Sequence, residues 1–102
     1  MANAEVATQV TISNDIAEPP MFKVIYLNDN QTTMEFVVDT LLNFFDHTAE
    51  SAVKITHDIH EVGSAVVAVL PFEIAEQKGI EVSVYARTQK FPLQIKLEPE
   101  GA

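Results

Sequence analysis

The sequence predicts a small α+β domain in which three helices lie on one side of a three-stranded sheet, in the chain order strand, helix, helix, strand, helix, strand. Three observations carry this expectation. Apolar segments with strand character recur at 21–27, 65–70 and 93–98. Two helical periodicities run back to back between the first two of them, and a third helical stretch precedes the last. A chain of 102 residues that is 47% hydrophobic supplies one compact core and leaves no material for a second.

Residues 1–20 are small, polar and acidic, with Val6, Val10, Ile12 and Ile16 too sparse to bury much, and they close on Pro19 and Pro20. They are expected to form a flexible extension, either a ragged end or an arm that reaches a partner. The folded part, expected over 21–98, opens with Met21 to Leu27, which is rich in β-branched and aromatic residues and apolar on both faces except at Lys23. That pattern suits a strand in a covered sheet. Asn28, Asp29, Asn30 and Gln31 end it as a turn.

Thr32-Thr33-Met34-Glu35 then has the spacing of a capping box, with the Thr32 hydroxyl and the Glu35 carboxylate expected to satisfy orphan backbone donors. Met34, Val37, Val38, Leu41, Leu42 and Phe45 follow at helical spacing and predict one core-facing side. After a break at Asp46 to Thr48, a second helix is expected over about Ala49 to Val62, with a stripe of Ala52, Ile55, Ile59 and Val62 and with Gly63 ending it. Ala65 to Leu70 reads as a central buried strand, and Pro71 as the first position of a third helix running toward Arg87. Gly79 costs that helix about 1 kcal/mol relative to alanine. Ala75, Gly79, Val82 and Ala86 form a narrow small-residue face, so close packing on the sheet is its expected reason. Leu93, Ile95 and Leu97 alternate with Gln94, Lys96 and Glu98, the period of a strand with one wet face. Residues 99–102 are expected to be a short tail.

Composition removes several classes of function. Six Lys+Arg against fifteen Asp+Glu give a net charge of −9, which opposes binding to nucleic acid. Without cysteine there is no disulfide, thiolate metal site or thiol nucleophile. The longest apolar run, Ala65 to Leu70, is far short of the roughly 20 residues that span a bilayer, and residues 1–20 contain no Lys or Arg of a secretory signal. The expectation is a cytoplasmic protein that touches neither membrane nor nucleic acid.

Chemistry is sparse. His57 and His60 stand at i, i+3, but His47 is the one other histidine and no further ligand is evident, so a metal site is incomplete. Ser51, Ser64 and Ser83 lack the context of a nucleophile, and the three glycines are isolated rather than gathered in a phosphate loop. A better constellation joins Asn28, Asp29 and Asn30, three consecutive acceptors after an apolar strand, to His60 on the second helix. Met34, Val37, Thr56 and Ile59 are placed to line an apolar cavity below them. Such a site suits an α-amine that carries a hydrophobic side chain. The alternative for the same residues is a plain turn above ordinary core positions.

At these residues the sequence resembles the ClpS family of protease adaptors. The resemblance covers about Pro19 to Glu98 and is carried by PPMFKVIYLNDNQTTMEFVVDTLLNFF, IHEVGSAVVAV, FEIAEQK and YARTQKFPL. It implies the fold inferred above and a non-enzymatic, cofactor-free adaptor. Such an adaptor binds the amino terminus of N-end rule substrates, those beginning with Leu, Phe, Tyr or Trp. It delivers them to the ClpA-type ATPase of the ClpAP protease, with the arm before Pro19 engaged by the ATPase. By the same resemblance Asn28, Asn30 and His60, with Asp29 alongside, hold the α-amino group, while Met34, Val37, Thr56, Ile59 and Leu93 form the side-chain pocket with Thr32 at its rim. Glu73, Lys78 and Tyr85 map to the helix that docks on the N-terminal domain of the ATPase, and a monomer is the default expectation.

Three departures from the family pattern stand out. Asn30 places a neutral amide where a carboxylate is usual, and a charge-assisted bond is roughly twice as strong as a neutral one. Thr56 stands where many members carry Met, which changes pocket volume and polarity. Thr33 replaces a common Pro, a conservative change at a helix start. The alternative function that these departures allow is an interaction module that docks on the ATPase with altered or lost amino-terminal recognition.

Overall fold

A computed structural model describes residues 19–101. The expected arm over 1–18 lies outside the described residues. The elements are β1 (Met21–Leu27), α1 (Met34–Phe44), α2 (Ala49–Val62), β2 (Ser64–Pro71), α3 (Phe72–Thr88) and β3 (Gln94–Pro99), the predicted order. α3 lies across all three strands, α2 packs on β2, and α1 packs on α2 and α3. β3 runs to Pro99, and the Glu100 N–H donates to the Met21 carbonyl at 2.9 Å, so the sheet reaches past the expected end of the domain.

The strand order is β2-β1-β3, with both pairings antiparallel. This corrects the expectation for 65–70: β2 is an edge strand, and β1 holds the centre. β1 is apolar on both faces and sinks Val24 and Tyr26 to 0% exposure, whereas β2 buries only Val67 and leaves Val66 and Val69 in water. A bulge shifts the register, since Val24 opposes Ala68 but Ile25 opposes Val66. The Val67 carbonyl at this bulge accepts from His47 Nε2 at 2.7 Å. Because Nε2 donates there, Nδ1 of a neutral imidazole accepts from the Ser51 hydroxyl at 2.9 Å. His47, read from sequence only as a turn residue, thus fastens the helical hairpin to the sheet edge.

The start of α1 also differs from expectation. Its N-cap is Thr33, whose hydroxyl accepts from the Phe36 N–H at 3.1 Å, so no capping box forms between Thr32 and Glu35. Thr32 is drawn away by the preceding turn. The buried face of α1 is Phe36, Val37, Thr40 and Leu41, rotated from the predicted stripe, with Met34 and Leu42 left exposed. Aromatic contacts drive this rotation, because the Phe36 ring lies 5.2 Å from that of Tyr85 and 4.9 Å from that of Phe91. Thr40 is tolerated in the core because its hydroxyl donates to the Val37 carbonyl and accepts from the Tyr26 hydroxyl, both at 2.8 Å.

α2 matches its predicted bounds and ends at Gly63 with φ 108°, but Val62 is 78% exposed and leaves the predicted stripe. Pro71 closes β2 and precedes α3 as its N-cap instead of being its first residue. Ala75, Gly79, Val82 and Ala86 are all buried on the sheet side of α3. A Cβ added at Gly79 would meet Ile95 Cγ2 at 3.7 Å, an ordinary contact, so packing does not demand glycine there.

Candidate functional site

The site forms where the turn after β1 meets the C-terminal end of α2. Asn28 donates its backbone N–H to the Gly63 carbonyl at 2.9 Å, and the Gly63 N–H donates to the Ile59 carbonyl at 2.9 Å. The left-handed residue that stops α2 is therefore also the anchor of the turn. This places His60, in the last turn of α2, beside Asn28, Asp29 and Asn30.

Asp29 shapes the turn from within. Its Oδ1 accepts from the Gln31 N–H at 2.8 Å and the Thr32 N–H at 2.7 Å, and its Oδ2 accepts from the Thr32 hydroxyl at 2.7 Å. Burial alone would raise the carboxyl, but these hydrogen bonds from Thr32 and Gln31, with the charge of Arg87, hold it net below the ordinary carboxylate range. Asp29 is thus an ionised group at the site, adjacent in the chain to the neutral amide of Asn30.

Beneath the turn lies a cavity of about 330 Å³. Asn28, Asp29, Asn30 and His60 contribute its polar lining. Met34, Val37, Thr56 and Ile59 contribute the apolar part, and Thr32 completes the wall. Val37 and Ile59 are nearly fully buried, whereas Asn28, Asn30 and His60 are exposed, so the lining grades from apolar depth to polar mouth. The Thr56 hydroxyl donates to the Ala52 carbonyl at 2.8 Å, which engages its polar atom within its own helix. Apolar depth below convergent acceptors can hold a cation with a hydrophobic substituent.

Leu93, expected in this pocket, is absent from its lining. It is a core residue at 1% exposure, and its carbonyl accepts from Arg87 Nη1 at 3.0 Å. Glu73 is exposed in the first turn of α3 and Lys78 is half-buried. Tyr85 turns inward, its ring also 5.9 Å from that of Phe44 and its hydroxyl 3.4 Å from Asp39 Oδ2, and so it packs α3 on α1. His57 is exposed. Among the described residues no three His, Asp or Glu side chains gather as metal ligands.

Sequence reasoning missed a second cavity of about 360 Å³ between α1 and α2, bounded by Met34, Glu35, Val38, Val53, Thr56 and His57. The exposed Met34 and Val53 were its available signal, since apolar side chains left in water on facing helices outline a groove. No helix among the described residues is long and apolar enough to cross a membrane.

Comparison with known proteins agrees across sequence and fold. Residues 17–96 match the family model described as ATP-dependent Clp protease adaptor protein ClpS. An ATP-dependent Clp protease adapter protein ClpS from Acetivibrio thermocellus is 44% identical over 86 residues, covering 84% of this chain and 87% of its own length. Its counterpart from Bdellovibrio bacteriovorus is 40% identical over 100 residues, covering 98% and 88%. The structure of Agrobacterium tumefaciens ClpS2 bound to L-phenylalaninamide superposes with a TM-score of 0.78 at 36% identity, covering 81% of this chain and all of that one.

Proposed function

The chain belongs to the ClpS family of ATP-dependent Clp protease adaptors, and from that premise we propose that its 330 Å³ cavity binds the free α-amine and hydrophobic first side chain of N-end rule substrates. Adaptors of this family act without catalysis. One observation carries the reading: four groups able to accept hydrogen bonds, on Asn28, Asp29, Asn30 and His60, line the same cavity as Met34, Val37 and Ile59. An ammonium removed from bulk water must have its donors satisfied, and these groups supply the partners. The amide of L-phenylalanine bound by the Agrobacterium relative has the same two parts, an α-amine and an apolar side chain. Acetylation removes the charge and leaves the acceptors unpaired, at a cost of about 1 to 3 kcal/mol.

In this reading the chain works in the cytoplasm as a monomer and hands its cargo to a ClpA-type ATPase. The exposed Glu73, with Lys78, on α3 forms part of the docking surface. The test is fluorescence anisotropy of labelled peptides beginning with Leu, Phe, Tyr or Trp, each against its acetylated form and a Gly-initiated control. Binding confined to free hydrophobic amino termini, and weakened by His60→Ala without loss of thermal stability, is the expected result. Equal binding of free and acetylated peptides would refute it and leave ATPase docking as the activity to examine. Glu73→Lys is expected to impair ATPase capture while leaving peptide affinity unchanged.

A further inference from the structure

We propose that the second cavity, between α1 and α2, is a subsite for the third side chain of the bound peptide and that it selects an uncharged apolar residue there. This presupposes the amine-binding reading above and adds a second determinant to it. Met34 and Thr56 line both cavities, so the two are immediate neighbours. Val38 and Val53 extend the apolar lining of the second cavity, with Glu35 and His57 also on its boundary. Met34 and Val53 are 40% and 46% exposed, a cost that an apolar occupant would relieve.

The direction of the peptide follows from the placement of the polar groups. The acceptors for the amine lie on the turn after β1 and at His60, whereas Thr56 lies one turn back along α2 and Met34 opens α1. With its amine held on the polar side, the chain leaves across Met34 and Thr56. In an extended peptide alternate side chains share a side and are spaced by two rises of about 3.3 Å. When the first side chain points into its pocket, the second points away and the third returns to the protein, where the neighbouring cavity that shares Met34 and Thr56 lies. The Thr56 hydroxyl has its proton committed to the Ala52 carbonyl and so offers no donor to an occupant. The Glu35 carboxylate and the net charge of −9 oppose an acidic occupant.

The experiment is anisotropy on the full chain with labelled peptides that all begin with Leu and vary one position at a time, with Ala, Leu or Asp at the second or third residue, each in free and acetylated form. Leu at the third position is expected to bind about five-fold tighter than Ala, with Asp weaker than both. The gain is expected to vanish in Val53→Ser, an exposed position outside the first-residue pocket, while affinity for the peptide with Ala at both positions stays at the wild-type value. Amine-dependent binding with no third-position gain, a gain at the second position alone, or a gain that survives Val53→Ser overturns this subsite and leaves the amine-binding reading standing. Equal affinity of free and acetylated peptides overturns both.

Discussion

Asn28 donates its backbone N–H to the carbonyl of Gly63 at 2.9 Å, and this one bond joins the polar turn after β1 to the end of the helix that carries His60. The two halves of the polar mouth, Asn28 to Asn30 and His60, come from segments distant in the chain, so their register depends on Gly63 holding its φ of 108°. Nothing lies within 4 Å of a Cβ built there, which isolates backbone strain from crowding. Gly63→Ala is expected to lower unfolding free energy by about 1 to 2 kcal/mol. It should also weaken peptide binding, as read by urea denaturation and anisotropy; an alanine variant with wild-type stability would show that the left-handed cap is not required.

Asp29 predicts how the site responds to acid. Its folded carboxyl titrates below the ordinary aspartate value, so it contributes stability that is fully present above the unfolded value of about 3.9 and is lost as pH falls below it. Amine affinity is expected to decline over the same acidic window. Asp29→Asn removes the charge and leaves the Thr32 hydroxyl without its carboxylate acceptor. This variant should bind free amino termini about tenfold more weakly and flatten the acidic limb of the stability profile. An unchanged limb would assign that acid sensitivity to another carboxylate.

Gly79 offers a gain in stability. Its added Cβ would sit 3.7 Å from Ile95 Cγ2, and the helix interior favours alanine over glycine by about 1 kcal/mol. Gly79→Ala is expected to raise the melting temperature by several degrees without altering peptide affinity. A lower melting temperature would mean that α3 must approach β3 more closely than 3.7 Å allows.

His47 has a structural role that its exposed-turn sequence context hides. Replacing it with alanine leaves the Val67 carbonyl at the β2 bulge without its donor and is expected to cost about 1 to 3 kcal/mol. Gln supplies an N–H donor and should recover part of the loss. Hydrogen exchange of β2 amides reads the same event locally, and unchanged protection in the alanine variant would argue against the anchor.

Restoring a carboxylate at position 30 separates the contributions of the two acids. If the Asp29 field already balances the ammonium, Asn30→Asp tightens binding of free amino termini by less than about tenfold. A larger gain would show that the amide at Asn30 is the weak point of the site, and a loss would remove Asn30 from the amine-binding groups.

Every element was legible from its own residues because secondary structure answers to local periodicity and punctuation. Alternation marked β3, the apolar run marked β1, and Gly63 stopped α2 where a left-handed residue was expected. The polar turn and the apolar positions of the candidate site were also readable, since Asn28 to Asn30, Met34, Val37, Thr56, Ile59 and His60 carry their chemistry in residue type and helical spacing. Tertiary structure decided the rest. Local pattern does not rank strands against one another, so only the competition for pairing partners made β1 central and β2 an edge. The choice of Thr33 over Thr32 as cap depended on Asp29 claiming the Thr32 hydroxyl. The rotation of α1 depended on rings from α3 and the segment after it, and the same packing drew Tyr85 inward while Leu93 went to the core. The second cavity exists only because two exposed helix faces lie side by side, a property that neither helix possesses alone. Local sequence determines which elements form and where they stop, and long-range packing determines which face each one buries and what that face meets, because burial energy depends on neighbours that no local window contains.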